Sequence, residues 1–245
     1  MIDTITIDLW NTLISNTAED ARRFHKARTN GIVEAFVAEG MIIEEEQVGE
    51  ALDLCYKRCW DSWTKNVDLT SQEQMEILMS LLPGGAEVSP YSLERIEKAY
   101  TEAVMESPPA LIEGSAEILD YLEKQDYKLG LICNTGRSPG RVLRKLLKQH
   151  RVLHYFDVLT FSDELRIRKP DPRIFLLTLK KLESSPSDSV HIGDELQTDV
   201  IGAKGAGMTA ILFDKGRSGH QEIQSDYCVS KLEDVKRIVE SLRQG

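Results

Sequence analysis

The chain opens Met1-Ile2-Asp3-Thr4-Ile5-Thr6-Ile7-Asp8-Leu9-Trp10-Asn11-Thr12-Leu13-Ile14, and the reading of this stretch decides the fold. Ile5, Thr6 and Ile7 form a short β-branched run. Such side chains pack well on a pleated surface, so the run reads as a buried strand and not as a helix. It delivers one acid, Asp8, and then meets Asn11 and Thr12, residues that favour turns and caps. A carboxylate is thereby set at the carboxyl end of a strand, where open α/β sheets bind their ligands. Asp8 reads equally well as a turn cap, although an idle carboxylate at a core edge is costly to bury.

From about Thr17 to Ser107 the pattern beyond this strand is helical. Phe24, Ala27, Ile32, Val33, Phe36 and Val37 recur at helical spacing, and Gly40 is placed to end that helix. Glu44, Glu45 and Glu46 open a second helix, where acids suit the positive end of the helix dipole. A third runs from about Ser71 to Leu81 and a fourth from about Ser92 to Met105. No strand signal interrupts them. After Pro109 the rhythm changes to alternating helix and strand, with strands expected at Lys128–Cys133, Val158–Ser162, Ser189–Ile192, Thr209–Phe213 and near Tyr227–Val229. Alternation of this kind predicts a parallel sheet with helices on both faces. A lone strand cannot stand by itself, so the N-terminal strand belongs to this later block. The expected fold is a Rossmann-like α/β core, residues 1–15 plus 110–245, interrupted by an all-helical domain at 16–109.

Composition narrows the function. The 245 residues are 41% hydrophobic and carry a formal net charge of −10. An acidic chain of this kind argues against general affinity for nucleic acid or an anionic membrane, both of which want a basic face. No apolar run is long enough to span a bilayer, and the N-terminus lacks the basic and apolar segments of a signal peptide. Cys55, Cys59, Cys133 and Cys228 show neither CxxC spacing nor a Cys/His cluster, which disfavours zinc and fits a reduced, cytoplasmic setting.

Three further loops leave expected strand ends with polar residues. The second strand ends in Cys133-Asn134-Thr135-Gly136-Arg137, donors placed just before a helix, which suit an anion or simply cap the helix. Arg166-Ile167-Arg168-Lys169-Pro170-Asp171-Pro172 follows the third strand, where two prolines hold Lys169 in place. Gly193-Asp194-Glu195-Leu196-Gln197-Thr198-Asp199 ends the fourth. Its three carboxylates repel one another unless a cation sits among them, although acids at a helix start account for Glu195 and Asp199.

Taken together, DLWNTL at 8–13, ICN at 132–134, RKPDPRIF at 168–175 and GDELQTD at 193–199 resemble the haloacid dehalogenase-like (HAD) hydrolase superfamily, in its form with a helical (C1) cap. The resemblance implies that Asp8 is a nucleophile forming an aspartyl intermediate and that Lys169 offsets its charge. It implies that Thr12, Cys133, Asn134 and Lys169 face the substrate. It also implies that Mg²⁺ is held by Asp8, Asp194 and the backbone carbonyl of Trp10, with Asp199 in support. The expected activity is a phosphatase acting on a small phosphorylated metabolite. Two departures bear on this. Family phosphatases carry a second Asp where this chain has Trp10, which has no proton to exchange, and Cys133 replaces a hydroxyl residue with a weaker donor. The alternatives are a 2-haloacid dehalogenase, whose leaving group needs no acid, and a non-catalytic protein that binds a phosphoanion. Arg22, Arg23, His25, Lys26, Lys57 and Arg58 of the cap are candidates to meet an anionic substrate. Trp60 and Trp63 read as pocket lining or core.

Overall fold

The computed structural model describes residues 1–215 and 225–244. Two compact units emerge from the contacts: residues 1–15, 110–134 and 147–245, and residues 16–109 with 135–146.

The first unit is built on a parallel sheet. Among the described residues its strands are β1 (Thr4–Ile7), β2 (Lys128–Cys133), β3 (Val158–Phe161), β4 (Ser189–Gly193), β5 (Thr209–Phe213) and β6 (Tyr227–Val229), in the order β3-β2-β1-β4-β5-β6. Every residue of β1 and β4 is buried, as a strand covered on both faces requires. The register pairs Ile7 with Leu131 on one side and with Ile192 on the other. The Asp8 amide continues the ladder by donating to the Ile192 carbonyl at 2.9 Å. Asp8, Asn134 and Asp194 therefore all leave the sheet at the same edge.

Helices α5 (Ser115–Lys124), α8 (Pro172–Lys181), α9 (Ile201–Gly205) and α10 (Val235–Gln244) complete this unit. Ile174, Phe175 and Leu179 pack with Val200, Ala203 and Leu212 in its core. Two details differ from the sequence reading. β3 stops at Phe161 and gives way to a single helical turn, α7 (Ser162–Leu165), and the expected helix from Thr198 begins as a wide π-type turn over Leu196–Val200.

The second unit is helical among its described residues: α1 (Ala18–Ala38), α2 (Glu45–Trp63), α3 (Ser71–Leu81) and α4 (Pro90–Glu106). Their starts follow local capping chemistry. Thr17 with Asp20 and Thr70 with Glu73 form capping boxes, and Ser89 caps α4 ahead of Pro90. Phe36, Leu52, Leu78, Ile96 and Tyr100 form a fully buried core. Residues 135–146 include most of α6 (Gly140–Gln149) and group with these helices, whereas the sequence reading gave them to the α/β core. The ties are specific. Gln74 donates to the Gly136 carbonyl at 3.1 Å, Thr135 to Asp68 at 3.0 Å, Arg141 to Glu97 at 2.8 Å and Lys145 to Glu102 at 2.7 Å.

Candidate active site

Lys169 is the centre of the sheet edge. It is 3% exposed. Its ammonium donates to Asp8 Oδ1 at 2.5 Å, to Asp199 Oδ1 at 2.6 Å and to the Ile132 carbonyl at 2.8 Å. A lysine ammonium has three protons, and all three are placed. Burial alone would lower its pKa, but Asp199 and Asp8 outweigh burial and hold it well above the ordinary lysine value.

Asn134 fixes this lysine by its backbone. Its side-chain amide donates to the Lys169 carbonyl at 2.9 Å, and its Oδ1 accepts from the Lys169 amide at 2.8 Å. Asn134 thus holds the Lys169 peptide group at both ends.

Asp199 is equally enclosed. Besides Lys169, it accepts from the Glu195 amide at 3.0 Å and lies 3.2 Å from His191 Nε2. Burial raises its carboxyl, but Lys169 and His191 more than compensate and hold it well below the usual carboxylate range. His191 sits on β4 with no exposure, and burial pushes its pKa down. Its Nδ1 is 2.9 Å from the Thr6 hydroxyl. A neutral imidazole that accepts from Thr6 and donates through Nε2–H to Asp199 satisfies both contacts. Gly193 is required beside this group, because a Cβ there would press into the Asp199 carboxylate.

The two remaining acids are less well matched. Carboxylate oxygens of Asp8, Asp194 and Asp199 come within 4.8 Å of one another. Burial pushes Asp8 up to about 6 against the pull of Lys169. Asp194 is lifted further, to about 8, by burial and then by Asp8 and Asp199. Asp8 and Asp194 offer hard oxygen donors at the ends of adjacent strands, a donor set that suits Mg²⁺.

The rest of the edge is polar and quiet. The Thr12 hydroxyl and Asn11 Oδ1 are buried without a hydrogen-bond partner. Cys133 is fully buried, and burial together with Asp8 pushes its thiol well up, so it stays protonated. Trp10 is half-buried and precedes Asn11, whose φ is 59°.

In the helical unit, the candidates Arg22, Arg23, Lys26, Lys57 and Arg58 are exposed, and Arg23 pairs with Asp20. His25 is half-buried. Trp63 is buried and donates to Asp68 at 2.8 Å, whereas Trp60 is 53% exposed. The sequence reading missed His191. Its signal was a lone titratable side chain in the apolar strand that runs into Gly193-Asp194.

Comparison with known proteins shows the family and the fold. The profile described as haloacid dehalogenase-like hydrolase matches residues 57–213, more than half of the chain. A glyceraldehyde 3-phosphate phosphatase of Methanopyrus kandleri is 26% identical over 95% of this chain and 93% of its own length. The like-named enzyme of Pyrococcus furiosus is 28% identical, and there the match spans only about half of each protein, 53% of this chain and 54% of that one. The crystal structure of a 2-haloacid dehalogenase from Pseudomonas syringae superposes with a TM-score of 0.77 at 22% identity, over 99% of this chain and 100% of that one, which establishes a shared fold. No helix among the described residues is long and apolar enough to cross a membrane. The chain belongs to the haloacid dehalogenase-like hydrolase family.

Proposed function

We propose that the protein is a Mg²⁺-dependent phosphatase acting on a small phosphorylated metabolite, with Asp8 as nucleophile. One observation carries this reading. Lys169 spends all three protons on Asp8, Asp199 and Ile132, so none is left for Asp194 beside Asp8, whose carboxyl is raised to about 8 by burial and then by Asp8 and Asp199. A divalent cation between Asp8 and Asp194 would supply the missing charge and let an anionic nucleophile approach an anionic phosphoryl group.

The protein's own residues do the rest. The Asp8 carboxylate attacks phosphorus, the ester P–O bond breaks, and the alkoxide takes a proton from solvent water and leaves as the alcohol. Water then attacks the aspartyl-phosphate, releasing inorganic phosphate and restoring Asp8. Lys169 holds Asp8 in place and offsets its charge. Thr12 and Cys133 present donors at the same edge, and the backbone carbonyl of Trp10 is the third protein ligand in this reading. In the same reading, residues 16–109 are the cap and residues 1–15 with 110–245 the catalytic core. Relatives named as glyceraldehyde 3-phosphate and phosphoglycolate phosphatases support the substrate class.

Trp10 favours a second reading, hydrolysis of a carbon–halogen bond, because halide leaves without a proton. A panel of phosphate esters and 2-haloacids, assayed with and without Mg²⁺, separates the two. Turnover of esters that requires Mg²⁺ and is lost in Asp8→Asn supports the phosphatase. Metal-independent release of halide supports the dehalogenase. Phosphate binding without turnover supports a non-catalytic binder.

A further inference from the structure

A parallel strand covered on both faces is ordinarily apolar throughout. The two central strands of this sheet are not. β1 reads Thr4-Ile5-Thr6-Ile7 ahead of Asp8, and β4 reads Ser189-Val190-His191-Ile192-Gly193 ahead of Asp194. Residues two apart in a strand share a face, and the register sets Thr6 opposite His191. This pair therefore lies side by side, two residues before Asp8 and Gly193. Neither side chain is exposed. Buried polar groups are costly unless they are hydrogen-bonded, and these two answer each other, with Thr6 Oγ1 2.9 Å from His191 Nδ1.

The surroundings fix the direction of that bond. Asp199 accepts from Lys169 through Oδ1 at 2.6 Å and from the Glu195 amide through Oδ2 at 3.0 Å, and despite burial Lys169 holds it ionised. His191 Nε2 lies 3.2 Å from the same Oδ1. A bare ring nitrogen there would set its lone pair against an anion, so Nε2 carries the proton. Burial keeps the imidazole neutral, which leaves Nδ1 bare. The Thr6 hydroxyl then donates to Nδ1 and not to the more distant Val190 carbonyl at 3.4 Å. Phe175 of α8 packs nearly perpendicular to the imidazole, with ring centres 5.0 Å apart. The contacts run from Thr6 through His191, Asp199 and Lys169 to Asp8, and every member belongs to the first unit. Reversing the tautomer would turn a lone pair on Asp199 Oδ1 and push away the carboxylate that anchors the lysine.

We propose that Thr6 and His191 are positioning residues for Lys169: the Thr6 hydroxyl selects the His191 tautomer, and the Nε2–H of that tautomer holds the Asp199 carboxylate that aims the ammonium at Asp8. The effect on turnover rests on the phosphatase reading. The placement of the protons does not.

Two substitutions of Thr6 separate positioning from packing. Thr6→Val keeps the branched shape and loses the hydroxyl, whereas Thr6→Ser keeps the hydroxyl and loses a buried methyl. If Thr6 only packs, Val is the milder change. If it positions Lys169, Thr6→Val should lower kcat on phenyl phosphate about tenfold with KM within about twofold, and Thr6→Ser should stay within about twofold of the wild type. A larger fall in Thr6→Ser than in Thr6→Val overturns the proposal. Nitrogen-15 spectra of the full chain test the protons without substrate. The His191 signals, identified by their loss in His191→Gln, should show a protonated Nε2 and a bare Nδ1 in the wild type and in Thr6→Ser. The Lys169 ammonium signal, identified by its loss in Lys169→Arg, should move in Thr6→Val and stay in place in Thr6→Ser. A protonated Nδ1 in the wild type, or an unmoved Lys169 signal in folded Thr6→Val, overturns the proposal. If Thr6→Val fails to fold, the wild-type imidazole spectrum decides. If the wild type hydrolyses no phosphate ester, the phosphatase reading falls and the spectra alone judge the positioning.

Discussion

The side-chain amide of Asn134 clasps the peptide group of Lys169 from both ends, its nitrogen on the carbonyl at 2.9 Å and its oxygen on the amide at 2.8 Å. The residue that aims the ammonium thus lies on a different strand end from the lysine itself. Asn134→Ala should release the Lys169 backbone and let the ammonium drift from Asp8. Small displacements of catalytic groups can cost about 10²-fold in rate. In the phosphatase reading, kcat should fall by roughly that factor while KM changes little. A rise in KM at constant kcat would show instead that Asn134 binds substrate.

Lys169→Met should be the most damaging substitution at the sheet edge. It leaves Asp8 and Asp199 buried side by side with no cation between them. Removing one partner of a buried ion pair costs about 3–5 kcal/mol. Urea denaturation should register a loss of that order, and adding Asn at position 199 should recover part of it. Destabilisation below about 1 kcal/mol would mean that the three-way contact contributes no more than a surface pair.

Asp194 and Asp8 couple stability to pH. Both carboxyls are raised from 3.8, to about 8 and about 6, chiefly by burial. A group raised in the folded state stabilises it while protonated. Its contribution is complete below the unfolded value of 3.8 and is lost as pH rises through the folded value. The metal-free protein should therefore lose stability from about pH 4 to about pH 8. Mg²⁺ should raise Tm more at the upper end than at the lower. Asp194→Asn should flatten the slope and remove most of the Mg²⁺ response. Calorimetric scans with and without the ion decide it, and an unchanged response in Asp194→Asn would count against metal binding here.

Trp10 sets the limit on proton transfer. A positioned general acid or base contributes about 10²–10⁴-fold, and the indole supplies neither. Turnover should be slow on alkyl phosphates and faster on aryl or acyl phosphates, whose leaving groups need no proton. Trp10→Asp should raise alkyl phosphate turnover by at least about tenfold, once circular dichroism shows that the variant folds. A folded variant that gains nothing would mean that Trp10 shapes a pocket for a leaving group that needs no acid.

The sheet edge was legible in the sequence because each strand stops abruptly at a polar residue. β-branched or apolar runs end at Asp8, Asn134 and Asp194, and two prolines, Pro170 and Pro172, follow Lys169. What that pattern could not convey was pairing in space. Asp199 reads as one more acid at a helix start, yet it is the second anchor of Lys169, and His191 is masked by the apolar residues on either side. Residues 135–146 follow β2 without a break, and nothing local says which body the next helix joins. That choice depends on distant partners such as Asp68, Glu97 and Glu102.

The position of β1 in the middle of the sheet has a consequence for biosynthesis. β1 leaves the ribosome long before one of its neighbours: Thr6 meets His191 across 185 residues of chain. At typical elongation rates of 5–20 residues per second, roughly ten to forty seconds separate the two. Throughout that interval the nascent strand Thr4–Ile7 has its β4 side unpaired, while α1 to α4 can already assemble from neighbouring segments. Completion of the sheet, and with it the meeting of Asp8, Lys169 and Asp199, is a late event for which β1 must wait.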